Sequence, residues 1–416
     1  MKKSIVFIMV LLVIFSCLFT KLDDDYHVIP ANFFTATVKK NKDNKPEKIE
    51  YNFSDNVGQI PENIKAEADK ISKKYNSAAV QIAVMKNFQL QYTYEYGYAD
   101  YANQTAVTSD SIYRVASLSK FVTDAVFMKL CDLGKVSIDD DISDLLGFKV
   151  RNPQYPDIAI TPAMLMSHSG TVVDSTTFET SLAGDSTMTL RQVLEAPYTL
   201  CAGKPGEFYF YSNFSVAVVG AICELVTGRY FNELAKEYFF DPLGIDASYL
   251  ASELKNTNLV ADLSGLNSST MLLAKPSSTI GQTHHLVQGN LFASAKDYLK
   301  FVAMIAAGGV TENGERLLSA ESVKEMLKTR IYDAAGIGSG FGCEENNVAL
   351  PGRTIYSHTG DAYGMYSVYA FDPETGDGIV VLTSGASSVY LDSVGINDNC
   401  YEYVKLMFPQ IETKSE

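Results

Sequence analysis

Ser117-Leu118-Ser119-Lys120 places a hydroxyl and an amine three residues apart. On a helix that spacing puts both side chains on one face. A neutral Lys120 amine could then take the proton that Ser117 must lose to attack a carbonyl carbon. Phe121, Val122, Ala125, Val126 and Met128 follow with the period of a core-facing helix. At the first turn of such a helix the backbone N–H groups are unpaired and the local dipole is positive, which stabilises an oxyanion. The chemistry predicted is acyl transfer through a serine ester.

The same spacing recurs at Ser252-Glu253-Leu254-Lys255, which runs into Asn256-Thr257-Asn258 without apolar periodicity and reads as surface. Taken alone, the Ser117 tetrapeptide also fits a helix N-cap with a solvated lysine one turn later. Its strand-like lead-in, residues 112–115, and its apolar sequel set it apart from the Ser252 copy.

Two further motifs carry polar groups suited to such a site. Tyr211-Ser212-Asn213 joins the loop Lys204-Pro205-Gly206-Glu207-Phe208 to an apolar helix at 216–226. A phenol near two cations has a lowered pKa and can act as a base, and an asparagine amide can hold a substrate carbonyl. Tyr101-Ala102-Asn103 and Tyr230-Phe231-Asn232 repeat the pattern but read as lying off such a junction. His358-Thr359-Gly360 ends a predicted strand before Asp361. There the glycine allows close approach of a substrate backbone, and the N–H just past it can be a second oxyanion donor. His168-Ser169-Gly170 reads instead as a helix C-terminus closing in glycine, with a structural role.

The elements that must position these residues follow from periodicity and turn chemistry. A helix is predicted over 61–75, strands over 79–85 and 90–98, helical segments from 117 to about 283, and a helix over 296–307. Strands follow at 354–358, 365–371 and 378–382, the last two joined by Asp372-Pro373-Glu374-Thr375-Gly376-Asp377, and a helix at 398–408. The fold class is mixed α/β (α+β).

Among the 416 residues, 46% are hydrophobic and 20% charged, a globular composition. The net charge of −15, with 49 acidic against 34 basic residues and no basic stretch, argues against a nucleic-acid partner. Six cysteines at irregular spacing and five histidines offer no metal-ligand pattern, so neither metal nor cofactor is expected. Cys131 and Cys223 lie in apolar helical stretches and read as buried thiols.

Lys2-Lys3 before an apolar run at 5–19, then Lys21 and three aspartates, reads as an export signal or N-terminal anchor. Ile14-Phe15-Ser16-Cys17 loosely resembles a lipoprotein processing site and departs from it at Phe15. Residues 21–60 read as a polar linker. The body is expected outside the cytoplasm, tethered to a membrane through residues 1–20.

In order, Ser117-x-x-Lys120, Tyr211-x-Asn213 and His358-Thr359-Gly360 resemble the serine penicillin-recognising superfamily. The branch is that of class C β-lactamases, D-Ala-D-Ala carboxypeptidases and related esterases. Leu165-Met166-Ser167-His168-Ser169-Gly170, Pro205-Gly206, Phe240-Asp241-Pro242-Leu243-Gly244 and Gly289 to Asp297 agree with it, over roughly 61–408. The resemblance implies a hydrolase domain at 61–410. An α/β half, about 61–115 and 285–410, with an antiparallel sheet flanked by helices, would pack against a helical half, about 116–284, with the site between.

It further implies Ser117 as the acylated nucleophile, Lys120 as its proton acceptor, and Tyr211 as a shared base that activates water for deacylation. Asn213 would bind the substrate amide, His358, Thr359 and Gly360 would line the strand side, and the N–H groups of Ser117 and Asp361 would form the oxyanion hole. His358 stands where the β-lactamases proper have lysine, and Asp361 brings a carboxylate towards the oxyanion position. The expected function is an exported serine hydrolase acting through an acyl-enzyme on D-amino-acid peptides or esters. The alternatives are a β-lactamase or a penicillin-binding sensor without turnover.

Overall fold

The structure, a computed structural model, describes residues 58–182, 187–260, 279–282, 286–362 and 364–409. The export signal, Cys17 and nearly all of the polar linker lie outside the described residues.

Nine strands form one antiparallel sheet: β1 Ala79–Lys86, β2 Gln89–Asp100, β3 Thr105–Ala106, β4 Ile331–Tyr332, β5 Gly338–Ser339, β6 Glu344–Asn346, β7 Ile355–Ala362, β8 Met365–Asp372 and β9 Asp377–Ser384. Their order is β3-β2-β1-β9-β8-β7-β6-β5-β4. The five long strands, β1, β2, β7, β8 and β9, fall on the five predicted ones, with β7 running on to Ala362. The outer strands β3 to β6, two or three residues each, are too short to carry a periodic signal. β1 is buried from Ala79 to Met85 and β9 throughout, because both faces of the sheet are covered.

On one face lie α1 Glu62–Lys74 and α6 Asp398–Met407, around Ala68, Val368, Ile379, Val381, Tyr403 and Val404. On the other lies α4 Ala295–Ala306, with Tyr298, Phe301 and Val302 in the larger core. That core continues into the helical part, where α2 Ser119–Asp132 and α3 Asn213–Thr227 are nearly all buried. Short helices Ile142–Leu146, Pro162–Met166, Thr176–Ser181 and Leu190–Leu194 surround them, and α5 Ala320–Leu327 packs against α2.

Ser117 stands one step earlier than expected. A 3-10 turn, Ala116–Leu118, precedes α2, so the serine occupies a tight turn before the α-helix proper. The copy at Ser252 sits exposed in a separate 3-10 turn, Ala251–Glu253. Tyr230 of the Tyr-x-Asn decoy precedes the helix Phe231–Ala235, correcting the expectation that it lies off a helix start; only Tyr101-Ala102-Asn103 does. Cys223 is buried as predicted and Cys131 only partly, and Cys131, Cys223, Cys343 and Cys400 are free thiols. Among the described residues no single helix is long and apolar enough to cross a membrane, and no three His, Cys, Asp or Glu side chains cluster as metal ligands.

Candidate active site

The turn bearing Ser117 is held from both sides. Val115 N–H donates to Leu291 O at 2.9 Å, and Ser367 Oγ of β8 donates to Val115 O at 2.8 Å. Ala116 adopts φ 51°, a left-handed conformation that costs a non-glycine residue about 1 kcal/mol and persists only where surroundings impose it. β7 presses directly on this turn. A Cβ at Gly360 would stand 2.8 Å from Val115 O, 3.0 Å from Ala116 Cβ and 2.2 Å from Ser367 Oγ. The glycine of His358-Thr359-Gly360 is therefore required by the protein's own backbone, which brings the strand edge against the serine.

Lys120 is fully buried, and its Nζ lies 2.9 Å from Ser117 Oγ, 2.8 Å from Asn213 Oδ1 and 2.7 Å from Gln288 O. Two of these partners are carbonyl oxygens that only accept. A neutral amine must give them its two N–H groups, which turns its lone pair onto Ser117. Burial pulls the amine from 10.5 down to about 7, against the opposing pull of the Asp174 and Asp124 carboxylates. Asp124, one turn further along α2, is fully buried with neither carboxyl oxygen hydrogen-bonded, and burial pushes it well above the ordinary carboxylate range.

Gln288 O reaches Lys120 because its segment lies close against α3. A Cβ at Gly220 would stand 2.6 Å from Val287 Cγ2, and Thr123 Oγ1 of α2 donates to Val287 O at 2.8 Å. A sequence pattern gives no sign of Gln288, since the contact is made by its backbone.

Asn213 is fixed by a residue that the motifs do not reveal. Asp174 accepts from Asn213 Nδ2 at 2.7 Å, Ser212 Oγ at 3.0 Å and Phe214 N at 2.8 Å. A carboxylate cannot donate, so the Asn213 amide has one orientation, with Oδ1 on Lys120. The expected hold on a substrate amide is thus secondary, and one N–H remains for it. No local motif marks Asp174, whose partners lie 38 to 40 residues further along the chain.

Tyr211 keeps 40% of its surface exposed, and its hydroxyl hydrogen-bonds Ser117. Its ring lies 5.0 Å from Lys120 Nζ, with centroids 4.5 Å from His168 and 5.9 Å from His358. The expected lowering of its pKa is overturned. Burial around the phenol raises it, outweighing the Ser117 hydrogen bond, and neither neighbouring base is a dependable cation. His358 is held down to about 4 by burial and the Lys120 charge, so it is neutral at working pH. Its Nδ1 lies 2.7 Å from Thr359 O, an acceptor, so the proton is on Nδ1 and the Nε2 lone pair is free.

Asp361 corrects a second expectation. Strand alternation puts Thr359 and Asp361 on the face opposite His358 and Gly360. The Asp361 carboxyl accepts from Asn397 Nδ2 at 3.2 Å, and burial raises its pKa. Its charge does not stand at the oxyanion position; only its backbone N–H belongs to the inner edge.

The sequence matches the family model described as Beta-lactamase over residues 62–394. The chain belongs to the β-lactamase family. It is 27% identical to penicillin-binding protein 4 of Amycolatopsis lactamdurans over 69% of this chain and 76% of that protein. It is 24% identical to a D-aminopeptidase of Brucella anthropi over 71% of this chain and 54% of that one. The octameric penicillin-binding protein homologue from Pyrococcus abyssi superposes with a TM-score of 0.65 at 21% identity, covering 83% of this chain and 76% of its own. In this serine hydrolase of the β-lactamase family, Ser117, Lys120, Tyr211 and Asn213 converge, with His358 and Gly360 completing the strand side and Thr359 turned away from it.

Proposed function

We propose that the protein hydrolyses D-amino-acid peptides, amides or esters through an acyl-enzyme on Ser117, and that it does so outside the cytoplasm. The observation that carries the chemistry is the Lys120 amine, aimed at Ser117 Oγ by two carbonyl acceptors. In acylation Ser117 Oγ attacks the carbonyl carbon as its proton passes to Lys120, and the N–H groups of Ser117 and Asp361 hold the oxyanion. The tetrahedral intermediate collapses, and the departing amine or alkoxide takes the proton back through Lys120 or the Tyr211 hydroxyl. Water then attacks the ester, giving its proton to the same pair and releasing the acid and Ser117. Tyr211 acts as a neutral phenol that relays protons and not as a phenolate.

The substrate class rests on His358. A neutral imidazole where a β-lactamase has lysine offers no fixed charge to a β-lactam carboxylate. The similarity to a D-aminopeptidase points the same way. Export is supported by Lys2-Lys3 and the apolar run at 5–19. The test compares kcat/KM for nitrocefin, a p-nitrophenyl ester, a D-alanine p-nitroanilide and a D-Ala-D-Ala peptide, on wild type, Ser117→Ala and His358→Lys. Esters and D-amino-acid amides are expected to lead, Ser117→Ala to be inert and unlabelled by a fluorophosphonate, and His358→Lys to gain β-lactam acylation. Nitrocefin turned over orders of magnitude faster than the others by wild type would make the protein a β-lactamase.

A further inference from the structure

His168 closes the helix Pro162–Met166 in a left-handed C-terminal turn. Its N–H donates to Leu165 O at 3.2 Å, and Ser169 N–H reaches back to Met164 O at 2.8 Å. The residue following the cap in such a turn has positive φ and is ordinarily glycine. Here it is His168 at φ 59°, while Gly170, where the sequence suggested the glycine stop, has no positive φ. Glycine would adopt this backbone without the penalty a side chain brings. A strained position that keeps a large side chain invites the question of what that side chain holds.

It holds the chain on both sides of Tyr211. Phe210 N–H donates to His168 O at 2.7 Å, and Ser212 N–H donates to His168 Nδ1 at 3.2 Å. Between these two bonds the imidazole lies against the Tyr211 ring, centroids 4.5 Å apart and tilted 40°. Because Nδ1 accepts, the ring proton is on Nε2. His168 is 3% exposed, and burial, reinforced by the neighbouring Lys120 amine, lowers its pKa well below 6.5, so the acceptor persists at working pH.

We propose that His168 is a positioning residue for Tyr211: a neutral imidazole that clamps residues 210 and 212 and backs the phenol ring, keeping its hydroxyl on Ser117. It touches no reacting atom, and it rests on the reading of Tyr211 as proton relay given above. Loss of the clamp lets the phenol drift, and misplacement of a catalytic group by about 1 Å costs on the order of 100-fold in rate.

The test uses a p-nitrophenyl ester with wild type, His168→Gly, His168→Asn, Tyr211→Phe and His168→Gly/Tyr211→Phe, each normalised to competent sites by fluorophosphonate titration. His168→Gly relieves the backbone strain, so its Tm should equal or exceed wild type. Its kcat should nonetheless fall about 10- to 100-fold, with KM changed by only a few-fold. Asparagine tolerates positive φ and carries Oδ1 where histidine carries Nδ1, so His168→Asn should recover activity above His168→Gly. The double variant should be no slower than Tyr211→Phe alone, because both changes act through one group.

Full activity in His168→Gly overturns the proposal, as does a double variant whose losses multiply, or His168→Asn no better than His168→Gly. Full activity in Tyr211→Phe removes the reading of Tyr211 itself, and the inference with it. An impaired Tyr211→Phe with multiplying losses removes the inference alone.

Discussion

Asp174 and Lys120 hold opposite ends of one amide. The carboxylate takes Asn213 Nδ2 at 2.7 Å while the amine reaches Asn213 Oδ1 at 2.8 Å. An acidic side chain thereby orients a base through a residue that cannot itself titrate, and the base lies in line with Ser117.

Asp174→Asn should break this relay without removing bulk. The new amide can present N–H groups to the donors at Ser212, Asn213 and Phe214, which frees the Asn213 amide to rotate. We expect kcat/KM for an ester to fall on the order of 100-fold, the cost of misplacing a catalytic group by about 1 Å. Asp174→Glu should recover little, because three donors converge on one carboxylate position. An active Asp174→Asn in a pre-steady-state acylation assay would contradict the relay.

Lys120 sets the pH profile. Its folded pKa near 7 lies below its ordinary value, so the neutral, competent form is lost as pH falls through about 7. The acylation rate should rise with pH along a single limb with its midpoint near 7 and level off above it. Lys120→Arg, always charged, should be inactive at every pH. A midpoint near 10 in stopped-flow acylation would show that burial does not depress this amine.

Gly360→Ala tests the strand edge. The added methyl meets Ser367 Oγ at 2.2 Å and Val115 O at 2.8 Å. One contact is a side chain that can turn away, but the other is backbone, so the Ser117 turn and β7 must separate. The expected result is loss of fluorophosphonate labelling with a Tm lower by only a few degrees, since overpacking typically costs about 1–3 kcal/mol.

Arg353 carries stability away from the chemistry. Its guanidinium is buried between Asp372 and Asp377, with Nη2 to Asp372 Oδ2 at 2.7 Å and to Asp377 Oδ2 at 2.9 Å, and Nη1 to Pro409 O at 2.6 Å. It ties the β8–β9 hairpin to the end of α6. Arg353→Ala leaves two buried carboxylates without a cation and should destabilise by about 3–5 kcal/mol. The kcat per titrated site should hold at temperatures where the variant stays folded.

What the sequence makes legible is what local spacing can encode. Ser117 and Lys120 meet across one turn, Tyr211 and Asn213 flank one helix start, and the long strands announce themselves by apolar runs. Asp174, His168 and Gln288 escape because they act across the fold, the last through a backbone oxygen. The orientation of Asp361 is a different case. The two-residue alternation of β7 already separates it from His358, and placing its charge at the oxyanion position follows proximity in sequence over the face of the strand. The state of Tyr211 depends on how much water is excluded around it, which no spacing records.

The register of the sheet bears on how the hydrolase comes into being. Ala79 of β1 stands opposite Ser384 of β9, and β9 is what ties β1 to β8 and β7. A nascent chain already carrying Ser117, Lys120, Tyr211 and Asn213 therefore still lacks the edge that shapes their pocket. Reactivity arrives late and at once, when the distant strands zip together, so a growing polypeptide stays chemically silent until almost the whole domain has been made.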